Sequence, residues 1–147
     1  MEELINALKI GLATSYAFQL KAHNFHWNVT GADFKQYHEL FGGIYEEVQG
    51  SVDPFAEEIR AMGAYAPGSF TRFSDLSLIQ DETSIPDALS MVTRLLSDAR
   101  LLKTQLTTTF YISEEMRQPG LSDFLAGRID AINKHIWMLA ATLGMQA

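Results

Sequence analysis

The sequence predicts an all-α protein, a four-helix bundle with one long crossover connection, on three observations. Apolar residues recur at helical spacing along four long stretches. Two of the connections between these stretches are short, and the third is long and rich in Gly, Pro and Ser. No segment of any length alternates apolar and polar residues as a half-buried strand would.

The elements follow in order. Residues 2 to 29 set Leu4, Leu8, Leu12, Tyr16 and Leu20 on one stripe flanked by Ile5 and Phe25, which predicts one long helix. Gly31 supplies its stop, and Asp33 followed three residues later by Gln36 has the form of a capping box opening a second helix. That helix runs to about Met62 and ends at Gly63. The segment AYAPGSFTRFSDLSL, residues 64 to 78, reads as a long connection with a short helix inside it. Ser84, with Pro86 just behind it, starts a third helix that carries Leu89, Val92, Leu96, Ala99 and Leu106 and fades near Glu115. Pro119 and Gly120 interrupt, after which Phe124, Leu125, Ile129, Ile132, Ile136, Leu139 and Leu143 mark a fourth helix. Short links make the first two helices antiparallel, and likewise the last two. The 64 to 83 connection is long enough to carry the chain back along the bundle, the pattern of a ferritin-like four-helix bundle. An up-down-up-down bundle with short loops is the main alternative, and it leaves that connection without a purpose.

With 147 residues, of which 47% are hydrophobic and 20% charged, the chain suits a single domain over 1–147 with a real core. It has no cysteine, which excludes disulfides, thiolate zinc sites and cysteine nucleophiles, so any metal must rely on His, Asp and Glu. The start MEELINALK lacks the basic region of a signal peptide, and the apolar runs are too short to span a bilayer. A cytoplasmic protein without membrane association is expected. The formal charge is −7 and the Lys and Arg residues are scattered, so direct nucleic-acid binding is not expected and cations are the natural ligands.

The usual di-iron centre inside one bundle needs Glu-x-x-His on two helices, and no glutamate here has a histidine three residues later. What the sequence offers instead is His26 and His38 on either side of the first turn, with Asp53 and Glu57 further along the second helix. An antiparallel hairpin brings the two histidines to the same level. Asp53 and Glu57, four apart, share a helix face as a chelating pair must. Yet the fifteen residues from His38 to Asp53 span roughly 22 Å at about 1.5 Å each, so one chain cannot close the site. They point to similar sides of the helix. A two-fold axis near residues 46 and 47 would set His38 of one chain beside Asp53 and Glu57 of another, and make two equivalent sites. Taken singly, each residue has a plainer reading, as a structural histidine at a helix end or a solvated carboxylate. Only the set of four gives one consistent geometry. His23 and His135 have no evident partner and read as structural. Asn28-Val29-Thr30 has the form of a glycosylation sequon, which carries little weight without a secretory signal.

The run KAHNFHWNVTGADFKQYHELFGGIYEEVQGSVDPFAEEIRAMGAYAPGSFTRFSDLSLI, together with KHIWMLAATLG near the C-terminus, closely resembles the Dps family, the mini-ferritins known as DNA-binding proteins from starved cells. The family's spaced pattern of His-Trp, a second His and then Asp-x-x-x-Glu fits at His26-Trp27, His38, Asp53 and Glu57. The resemblance implies a hollow dodecamer built from dimers that oxidises Fe(II), usually with hydrogen peroxide, at sites between subunits. The ferric mineral is stored inside, and the pairing of electrons protects against oxidative damage. It implies that His26 and His38 of one subunit and Asp53 and Glu57 of another bind iron, with Glu57 the best candidate to bridge two irons. Trp27 resembles the family's aromatic beside the centre, either a sacrificial electron donor or interface packing. Acidic residues near the start of the fourth helix line the family's pores, a position matched by Asp123 and, less closely, by Asp130. Zinc is a possible competitor for the histidines.

Two departures limit the resemblance. Many members carry Asp four residues after the second histidine, where this chain has Gly42, followed by Gly43. A strong first iron position and a weaker second one are therefore expected, the second filled through water, Glu57 or Glu46. The alternative function is a structural or metal-sequestering cage with that position inactive. The glycine pair costs a helix about 1 kcal/mol per residue relative to alanine, and close helix approach at the dimer interface would offset it. The Lys-rich N-terminal extension of many relatives is also missing, which again predicts no direct DNA binding.

Overall fold

The computed structural model describes residues 1–146, and among these it forms five helices and no strand. They are α1 (Glu2–Asn28), α2 (Phe34–Ala61), α3 (Phe70–Leu76), α4 (Ala88–Glu115) and α5 (Pro119–Thr142). The α1 and α2 helices form one antiparallel hairpin, α4 and α5 a second, and α1 packs on α4. The short α3 lies against α1.

The long connection does what its length predicts. The Leu78 amide donates to Thr14 Oγ1 at 3.2 Å, and Asn24 Nδ2 donates to the Glu82 carbonyl at 3.5 Å. The chain therefore climbs α1 from its middle toward its C-terminal end before α4 begins. Lys21 pairs with Asp98 at 2.8 Å and Gln105 reaches the Ala7 carbonyl at 2.7 Å, so α4 runs antiparallel to α1 and parallel to α2. This is the crossover topology of a ferritin-like bundle.

Helix ends depart from the expected signals at three places. Asp33 stands at the N-cap of α2, but its side chain makes no capping hydrogen bond, so the expected box with Gln36 does not close. The turn is set instead by Gly31, whose φ of 125° is open to glycine but strained for other residues. The third long helix begins after Asp87 rather than at Ser84, because the Asp87 carboxylate accepts from the Ser90 amide at 2.9 Å. Pro119 and Gly120 lie not in the break before the last helix but in its first turn, where the missing N–H of proline costs nothing.

One continuous core runs through the bundle, with Phe18, Phe25, Phe41 and Phe55 among its largest fully buried side chains. Each contributes about 1.5–3 kcal/mol by leaving water. The α1 stripe read from the sequence is correct over Leu4, Leu8 and Leu12, then leaves the core. A strict spacing of four overshoots a helical turn by about 40° each time, so the stripe winds off the buried face. Phe18, Ala22 and Phe25 take over inside, Tyr16 stacks on Phe73 of α3 at 4.5 Å, and Leu20 is exposed. Likewise Leu89 is exposed near the start of α4, and Met91, Leu95 and Leu102 are buried beside the expected Val92, Leu96, Ala99 and Leu106. No helix is long and apolar enough to cross a membrane among the described residues.

Candidate metal centre

The hairpin turn sets the last turn of α1 beside the first turns of α2, and there His26 and His38 meet. Their rings stack with centroids 3.7 Å apart and planes 15° from parallel. Nδ1 of His26 bonds the main-chain oxygen of His38 at 2.6 Å, and Nδ1 of His38 bonds that of His26 at 2.6 Å. A carbonyl can only accept, so each Nδ1 carries the hydrogen. The neutral ring then keeps its lone pair on Nε2, the atom a metal needs. Neither Nε2 has a hydrogen-bond partner among the described residues. The exchange also serves the fold, since the His26 carbonyl lies in the last turn of α1, where main-chain acceptors lack helical donors.

Aromatic rings surround the pair. His23 stacks on Tyr45 of α2 at 3.6 Å and 6°, and meets Trp27 at 3.8 Å and 41°. Burial first, and the neighbouring His26 second, hold the His23 imidazole below its ordinary pKa. Phe34 lies 5.0 Å from His38. Trp27 is 58% exposed.

The carboxylates are elsewhere. Asp53 and Glu57 are exposed on α2, which runs unbroken through Pro54 between them. No group of three or more His, Asp or Glu side chains able to hold a metal forms among the described residues, so Asp53 and Glu57 do not join the two imidazoles there. Glu46 is exposed one turn beyond Gly42. Asp123 and Asp130 are exposed on α5, and because that helix starts at Pro119, Asp123 sits in its second turn rather than at its cap. Gly42 is buried against His26 of its own chain, whereas a side chain at Gly43 would meet nothing within 4 Å.

One polar cluster escaped the sequence. Arg128 and His135, both nearly buried on α5, converge on Glu47 of α2, so His135 is not a residue without partners. Their spacing of seven on one helix face was the available signal, but nothing in the sequence selects Glu47 over Glu46.

A four-helix bundle with a crossover between its second and third long helices has the ferritin-like topology, and the family model for the ferritin-like domain matches residues 5–146. The antigen TpF1 of Treponema pallidum is 35% identical over 128 residues, covering 84% of this chain and 71% of that protein. DNA protection during starvation protein 2 of Bacillus anthracis is 30% identical over 142 residues, covering 97% of each. The crystal structure of the Dps protein from Vibrio cholerae, described as a member of a broad superfamily of ferritin-like diiron-carboxylate proteins, superposes with a TM-score of 0.92. It is 29% identical and covers 97% of this chain and 89% of that one. The chain belongs to the Dps family of ferritin-like proteins. Iron storage and ferroxidase-type chemistry come with that membership as the general function of the family.

Proposed function

We propose that this protein assembles as a hollow dodecamer that oxidises Fe(II) with hydrogen peroxide at sites shared between subunits and stores the ferric product inside. The observation that carries the reading is the His26 and His38 pair, whose main-chain hydrogen bonds leave both Nε2 atoms available. Fe(II) is the substrate. His26 and His38 hold it from one subunit, and Asp53 and Glu57 of the partner subunit neutralise its charge. That division of labour is supported by the lack, among the described residues, of any carboxylate grouped with the two histidines. Two irons held together give two electrons to one peroxide: 2 Fe(II) with H2O2 and two protons yield 2 Fe(III) and two waters. No hydroxyl radical is released, which is the basis of a protective role.

Glu57, with two carboxylate oxygens, is the residue suited to bridging the irons. Trp27, beside His26 and exposed, serves as an electron donor when only one iron is present, or packs against the partner subunit. Asp123 and Asp130 line the entry for Fe(II), and zinc competes for the imidazoles. A second reading is favoured by one observation, the absence of a side chain at Gly42: a cage that sequesters metal with slow or no oxidation.

Stopped-flow oxidation of Fe(II) by peroxide in the purified oligomer separates the two. Rapid oxidation of two irons per site supports the ferroxidase, and binding without turnover supports the sequestering cage. If Asp53→Ala leaves both binding and oxidation intact, the intersubunit site is wrong.

A further inference from the structure

The crossover covers only part of the groove between α1 and α4. Its Leu78 amide is tied to Thr14, and Glu82 is held by Asn24 of α1 on one side and by Arg94 of α4 on the other. The chain therefore fills the groove from Thr14 toward the end of α1 and leaves it open below Leu78. The open part is a concavity of about 670 Å³ between Ala7 and Ile10 of α1 and Leu101, Thr104 and Thr108 of α4. Polar residues of its floor turn their polar atoms away. Gln105 Nε2 donates to the Ala7 carbonyl at 2.7 Å and to Thr109 Oγ1 at 3.1 Å, while its Oε1 is buried beside Gly11. Thr104 Oγ1 donates to the Arg100 carbonyl at 3.1 Å. What faces the opening is mostly carbon, and Leu78 and Leu101 stand 48% and 39% exposed beside it.

Charge gives the opening a direction. On the covered part of this face, Lys21 pairs with Asp98 and Arg94 with Glu82. Arg100, further along α4 at the open part, is exposed and makes no ion pair among the described residues. At the other end, past Ala7 and Ile10, stand Glu2 and Glu3. An unpaired cation beside a carbon-lined groove, in a chain of formal charge −7, complements an anionic head that carries an apolar tail. From Arg100 to Thr108 the helix rises about 12 Å, which limits the tail to moderate length.

We propose that this groove binds a single-chain fatty carboxylate of medium length, its head on Arg100 and its tail along Ile10 and Leu101. The guanidinium fork matches the two carboxylate oxygens, and the tail leaves water against the groove wall. The volume falls within the roughly 300–1,000 Å³ of small-ligand sites. Ile10 lies about 24 Å along α1 from His26, so the site is separate from the metal reading and does not rest on it.

The probe is decanoate below its micelle concentration, titrated into the assembled protein by calorimetry. It is expected to saturate at one per chain. Octanoate, two methylenes shorter, is expected to bind up to about 15-fold more weakly, since each buried methylene is worth roughly fourfold. Arg100→Gln is expected to weaken decanoate about fivefold, the size of an exposed ion pair. Decyltrimethylammonium, the same tail under a cationic head, is expected to bind more weakly than decanoate. Leu101→Glu sets a carboxylate on the groove wall and is expected to abolish binding. Arg100 and Leu101 are both exposed, so neither change disturbs the core. No saturable binding of decanoate, equal affinity for octanoate, tighter binding of the cationic amphiphile, or unchanged affinity in either variant overturns the proposal. A changed oligomer mass in Leu101→Glu would show that a second copy covers the groove, and overturns it equally.

Discussion

Arg128 reaches across from α5 and forks onto Glu47 of α2, with Nη1 2.6 Å from one carboxylate oxygen and Nη2 3.2 Å from the other. His135 Nε2 donates to the second oxygen at 2.7 Å. Both donors are nearly buried while Glu47 keeps solvent contact, so the partners are not equivalent. Glu47→Ala leaves a buried guanidinium and imidazole unpartnered and is expected to cost about 2–3 kcal/mol in urea unfolding. Arg128→Met leaves a carboxylate that water can still reach, and is expected to cost less.

The same cluster sets an acid limit. Burial alone would raise the Glu47 pKa, but hydrogen bonds from His135 and Arg128 and their charges outweigh it and lower the value from 4.5 to about 2. A depressed acid contributes stability above its unfolded pKa and loses it as pH falls through the folded one. Stability is therefore expected to fall between about pH 4.5 and 2, and Glu47→Gln should flatten that part of the profile of melting temperature against pH.

Two helical glycines, Gly11 on α1 and Gly127 on α5, should respond oppositely to alanine. A Cβ on Gly11 would meet Phe55 Cζ and Gln105 Oε1, each at 2.8 Å, so Gly11→Ala is expected to cost about 1–3 kcal/mol despite its better helix propensity. Gly127 on α5 is exposed with nothing within 4 Å of such an atom, and Gly127→Ala should gain up to about 1 kcal/mol. Chemical denaturation of the two variants measures both signs.

Arg117, in the turn between α4 and α5, has a φ of 54° and is exposed. The left-handed region costs a residue with a Cβ roughly 1 kcal/mol or more, a cost glycine does not bear. Arg117→Gly is expected to raise the midpoint of thermal unfolding. An unchanged or lower midpoint would mean that the arginine side chain supports the turn.

Asp123→Asn should slow Fe(II) entry if this carboxylate lines the path inward. The expected result is slower mineral growth after the first irons per site, with oxidation at the centre itself unchanged. Equal slowing of both phases would place Asp123 elsewhere.

The helices, their order and the crossover are legible in the residues because periodicity and end signals are local: a turn at Gly31 and a long polar connection suffice to set four helices in sequence. The meeting of His26 and His38 is legible for the same reason, since both lie a short count from one turn. What periodicity misses depends on how closely two helices approach and at what rotation. Leu20 falls outside the core because a spacing of four drifts around the helix, and Glu47 rather than Glu46 faces α5 by one step of about 100°. Gly42 shows the limit most clearly. In the sequence it is an absent carboxylate, and only the packing of α1 on α2 reveals the imidazole that fills the space of its missing side chain. Contacts between helices are decided over fractions of an ångström, and no pattern along a single helix records them.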